Sequence, residues 1–163
     1  MFDRSFYPSD CIPGNILLFQ IQVIKDGGDH SVQPLVAAAL FGAVNEITTK
    51  DPSTKVSFGD MSGEAGNKPG DVHNGGALSH VNGKNVDVRL IRTDNADAGT
   101  NVNNPTFDVG RNQSAVNSYN KFGFKDILSQ TNSKGVLLNH TSDKHHPDHF
   151  HLQGFNPIVK FVK

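Results

Sequence analysis

The stretch "HHPDHFH", residues 145–151, gathers four of the chain's eight histidines into seven positions. Neutral imidazole is a common metal ligand, and its titration near neutral pH suits it to moving protons, so a run this dense points to a metal or proton-transfer site. A solvated His-rich loop is the plain alternative, and a partner elsewhere in the chain decides between them. Upstream, "SHVNGKNVD" sets His80 seven residues before Asp87 with Gly83 between them. A turn at Asn82 and Gly83 lets a ligand entering the turn and a ligand on the strand leaving it face one point. His80, Asp87 and a histidine of the later run then form a set of two histidines and one carboxylate, the open donor set of a catalytic zinc site. The single cysteine, Cys11, excludes an intrachain disulfide and any multi-cysteine metal site, so a metal here depends on His and carboxylate.

These residues need a scaffold that brings positions about sixty residues apart together. The chain has 163 residues, enough for one domain with a real core, and the whole of 1–163 reads as a single domain, its core from about 16 and an extension over 1–15. Alternation over Ile16–Ile24 predicts a strand with Phe19, Ile21 and Val23 on one face. Ser31 is the expected cap of a helix entered through Pro34, with Leu35, Val36, Ala39, Leu40, Ala43, Val44 and Ile47 as its apolar stripe. "VSFGD" reads as a short strand, "MSGEAGNKPGDVHNGG" as an irregular loop, and "NVDVRLIR" as a strand. "TDNADAGTNVNNPT" has the length of a lid, a binding loop or a disordered segment. "GRNQSAVNSYNKFGFKDILSQ" reads as a second helix weakened by Gly123, and "GVLLN" and "HFHLQGF" as strands on either side of the histidine loop. The expected fold is α+β, a small, mostly antiparallel sheet with two main helices and long loops at the site.

Fifteen basic against sixteen acidic residues give a formal charge of −1, which offers no bulk attraction to nucleic acid or an anionic membrane. Neither a secretory signal nor a membrane-spanning segment is expected, since "ILLFQIQVI" is short and carries two glutamines.

The pair of motifs, "SHVNGKNVD" followed by "HPDHFH", resembles the LAS-type zinc peptidases, closest to the penicillin-insensitive murein endopeptidases that cleave peptide cross-links in peptidoglycan. "GDMSGEAG" is similar to that family's Gly-rich approach to its first ligand, and the resemblance covers about 58–92 and 135–155. It implies zinc held by His80, Asp87 and His151, with His149 and His146 as active-site histidines. Asp148 falls where related D,D-carboxypeptidases and L-alanyl-D-glutamate peptidases carry an acid/base carboxylate. Either His149 or Asp148 is the general base, with the other orienting it, and His146 stabilises the oxyanion or binds substrate. His145 is expected to be solvated, His73 and His140 to be loop or supporting residues, and Asp60, Glu64 and Asp71 to be solvated acids; Arg89 or Arg92 could meet a substrate carboxylate.

Acting on a peptidoglycan peptide implies work in the periplasm or cell wall. With no leader expected, the chain would travel within a longer secreted protein, as an antibacterial toxin domain with an immunity protein for partner, or would be released by a phage. Two other readings compete: a zinc-binding recognition module without catalysis, and a metal-dependent, His-rich nuclease. The neutral charge weighs against the nuclease, and His149 and Asp148 beside the ligands weigh against the inert module.

Overall fold

The computed structural model describes residues 22–23, 31–62, 80–131, 137 and 139–157. Along the chain run β1 (Gln22–Val23), α1 (Pro34–Lys50), β2 (Ser57–Phe58), β3 (Val86–Arg89), α2 (Val109–Lys121), β4 (Phe124–Ser129), β5 (Thr141–Ser142) and β6 (His149–Phe155). The strands form one sheet in the order β1-β2-β3-β6-β4-β5. Its three central pairings, β2–β3, β3–β6 and β6–β4, are antiparallel, and the outer pairings at each edge are parallel. The α+β expectation, two helices on a mostly antiparallel sheet, holds. Among the described residues no helix is long and apolar enough to cross a membrane.

The α1 stripe is buried as its spacing predicts, at Val36, Ala39, Leu40, Ala43, Val44 and Ile47, but Leu35 is exposed on the helix's outer side. Ser31 is not the cap. Gln33 holds that position without a side-chain bond to the helix's own N–H groups, and Ser31 instead exchanges backbone hydrogen bonds with Ser62. Most of the strand expected over 16–24 and most of "GVLLN" lie outside the described residues, as do His73, Glu64 and Asp71.

The second helix departs most from expectation. It starts at an Asp108 cap, whose carboxylate accepts from the Arg111 N–H at 2.9 Å, and ends at Lys121 rather than running on to residue 130. Gly123 takes φ 110°, a conformation costly to residues with a Cβ, and turns the chain straight into β4. A side chain at Gly123 would also meet the Pro157 backbone at 3.0 Å. The apolar residues Phe124, Ile127 and Leu128 therefore serve a strand that pairs with β6, not a helix face.

One core joins these parts. The inner sides of α1 and α2 pack on Val86 and Val88 of β3, Phe150 and Leu152 of β6, and Phe124 and Ile127 of β4. Tyr119 of α2 lies edge-on to Phe124 and Phe150. Strand alternation then sends Asp87, Arg89, His149 and His151 to the opposite face, where Asp87 stands opposite His151 and Arg89 opposite His149.

Candidate metal centre and cleft

The sheet register does most of the assembly. Pairing β3 with β6 sets the Asp87 Oδ1 2.7 Å from His151 Nδ1 across 64 residues of sequence. His80 arrives by the local turn. Asn82 and Gly83 both have positive φ, 75° and 63°, and the Gly83 N–H donates to the His80 carbonyl at 3.3 Å. The start of α1 secures this turn: the Gln33 N–H donates to Gly83 at 2.9 Å and its side-chain amide to Asn82 at 3.0 Å. A Cβ on Gly83 would press to 3.0 Å from the Val32 backbone, so the turn needs glycine for space as well as for φ.

His80, Asp87 and His151 form a cluster whose donor atoms all lie within 4.8 Å of one another, and it could bind a metal ion. The two imidazoles are buried, 1% and 3% exposed, and meet edge to face at 4.7 Å. His80 Nδ1 lies 3.3 Å from the Asn85 carbonyl, which can only accept, so Nδ1 carries a proton in that contact. In the neutral ring the bare Nε2 would then point at Asp87 Oδ2, 3.4 Å away. Two lone pairs facing each other out of water require a cation between them, either a proton or a metal ion.

The titration of these groups carries the same message. Burial opposes charge on His80, yet the Asp87 carboxylate outweighs it and raises the His80 pKa. Burial would likewise raise Asp87, but the hydrogen bonds from His151 and His80 hold its carboxyl well below the usual range. The 3.4 Å between His80 Nε2 and Asp87 Oδ2 matches the separation of about 3.4 Å between two tetrahedral ligands each about 2.0–2.2 Å from an ion, whereas the 2.7 Å between His151 Nδ1 and Asp87 Oδ1 is a hydrogen bond. The backbone acceptor behind His80 is the supporting partner that metal-bound histidines generally have.

The remaining sequence candidates divide into two groups. His149 sits at the rim of the cluster, Nε2 3.8 Å from Asp87 Oδ2, while its Nδ1 is held by Asp148 at 2.7 Å. Asp148 is mostly exposed and reaches His149, not the cluster. His146 closes the third side, its ring 5.0 Å from that of His149 and 5.3 Å from that of His151. Burial, aided by the neighbouring His149 and His151, lowers the His146 pKa and favours its neutral form. By contrast, the His145 side chain is exposed, and His140 turns its Nδ1 to the Leu137 carbonyl at 2.7 Å.

Three successive carbonyls fix the histidine loop. His146 accepts from Gln130 N–H at 2.8 Å, Pro147 from Val102 N–H at 3.0 Å, and Asp148 from Leu90 N–H at 3.5 Å. Spacing in the sequence gave no sign of these anchors. Nor did it show that the loop after β3 takes a defined course, with Arg111 bonded to Asp51, Ser53, Asn95 and the Arg92 carbonyl. Asn112 adds a buried clamp, pairing its amide with both backbone groups of Ile91. The Asx-type turns at Asp94, Asn101 and Asn104 are the signal that a closer reading of "TDNADAGTNVNNPT" could have used.

Beside the cluster opens a cleft of about 340 Å³. Asp87, Asp148 and His149 line it, together with Asp60, Arg89 and Gly99. Asp60 is exposed, as expected of a solvated acid, and it also borders this cleft, its backbone carbonyl accepting from the Asp87 N–H at 2.9 Å. Arg92 is fully engaged by Asp94 and the Gly99 carbonyl. No protein-family model and no curated protein matches the chain.

Proposed function

We propose that the protein is a zinc-dependent peptidase acting on peptidoglycan stem peptides or cross-links. The observation carrying this reading is the composite of a buried His80–Asp87–His151 donor set with the Asp148–His149 pair at its open edge, facing a cleft. Zinc bound there would supply an acidified water as nucleophile and a positive charge to polarise the scissile carbonyl. His149 receives a proton at Nε2 and returns it to the leaving amine. Asp148 holds the opposite nitrogen, fixing the ring's tautomer and its orientation. His146, held neutral by burial, offers an N–H towards the carbonyl oxygen as charge develops there.

The test pairs zinc content of the purified protein with muropeptide release from intact sacculi, for wild type and His151→Ala. Stoichiometric zinc and new muropeptides, both lost in the variant, are expected, and mass spectrometry of the products names the bond. Zinc without release would leave a binding module; absence of zinc would remove the metal from the reading.

A further inference from the structure

We propose that Arg89 is a specificity residue that docks a free carboxylate of the peptide substrate, with Asp97 as an internal competitor that makes the site selective. This rests on the peptidase reading for the identity of the substrate, but not for the existence of the anchor. Arg89 leaves β3 on the face that carries Asp87, directly opposite His149, and lines the same cleft. Among the described residues lining that cleft it is the one cation.

The way its charge is used sets it apart from its neighbours. Arg92 binds Asp94 at 2.6 and 2.7 Å, and Arg111 makes four side-chain hydrogen bonds besides its contact with Asp108. Among the described residues Arg89 has a single partner, Asp97, at 3.8 Å, beyond hydrogen-bond range, with both side chains more than a third exposed. A guanidinium presents five donors in a planar fork that matches a carboxylate, so a fork left unspent in a cleft suits that group. Asp97 is close enough to compensate the charge while the cleft is empty, yet too far to fill the fork. A neutral amide gains little by displacing it, whereas a carboxylate exchanges a poor ion pair for a bidentate one. The register places this anchor one strand from the proton-transferring His149, so the carboxylate would lie on a residue next to the scissile bond.

The probes are the stem tetrapeptide L-Ala-γ-D-Glu-diaminopimelate-D-Ala and the same peptide with its carboxylates amidated. Binding is measured by calorimetry on zinc-loaded His149→Ala protein, alone and combined with Arg89→Gln, Arg89→Lys or Asp97→Asn. Arg89→Gln should weaken the acid peptide about ten- to a hundredfold and leave the amide unchanged. Arg89→Lys should recover part of that loss, and Asp97→Asn should tighten the acid peptide about two- to fivefold. Equal effects on both peptides, or none on either, would overturn the anchor. Arg89-dependent binding of the acid with no hydrolysis of any stem peptide by the wild type would keep the anchor and reject the peptidase. Hydrolysis with no preference for acid over amide would do the reverse.

Discussion

The two faces of the β3–β6 ladder differ more than any two elements of the fold. On one, Val86, Val88, Phe150 and Leu152 are essentially inaccessible to water and pack beneath the helices. On the other, Asp87, Arg89, His149 and His151 stand one residue away along the same strands, and the first three of them line the cleft. The difference teaches that stability and chemistry are separated here by side-chain alternation, not by distance. Backbone precision reaches the polar face because the apolar face is packed.

Substitutions on the two faces should therefore fail in different ways. Phe150→Ala removes a fully buried ring and should cost about 3–5 kcal/mol in denaturant unfolding, losing metal only as the protein unfolds. If it lost metal while still folded, the separation would be wrong. Asp87→Asn should do the converse, lowering zinc affinity at least about a hundredfold in competition with a chromophoric chelator while the fold persists.

The pH dependence sharpens the same contrast. The pKa of His80 is raised in the fold, so its pairing with Asp87 stabilises metal-free protein below about pH 6.5, and that stability is lost as pH climbs through the raised value. Asp87 is held low, so its contribution is present above about pH 4 and disappears only as pH falls through the lowered value. Zinc must displace the His80 proton, so its affinity should rise about tenfold per pH unit for each proton released. Stability of the metal-free protein and affinity for zinc should thus move in opposite directions as pH rises, in thermal melts and chelator titrations run side by side. Parallel trends would show that no proton occupies the place of the metal.

Asp148→Asn should leave zinc bound and lower peptide turnover about ten- to a hundredfold, since it disturbs only the orientation of His149. His145→Ala is the smallest change. Its side chain is exposed, and stability should stay within about 0.5 kcal/mol with zinc content unaltered.

How much of this was legible follows the same division. The α1 stripe could be read because its seven apolar positions fit only a helical period, and just Leu35, at the helix's first turn, proved to face out. The His80–Asp87 pair could be read because Asn82–Gly83 is a turn signal with a mechanism, whereas the choice of His151 among the four histidines of the later run came from the resemblance to the LAS-type zinc peptidases. β4 was missed because Phe122, Phe124, Ile127 and Leu128 fit a helical period as well as a strand's, and Gly123 was taken for a weakness instead of a boundary. The anchors of the histidine loop escaped because backbone carbonyls accept whatever the residue type.

Those carbonyls have a dynamic consequence. The amides of Leu90, Val102 and Gln130 come from three separate stretches of chain, yet they bond to three consecutive residues. A lift of the histidine loop breaks all three bonds at once. Their exchange with solvent deuterium should therefore be governed by one shared opening event, in which the histidine loop lifts as a unit and carries His146 and His149 with it.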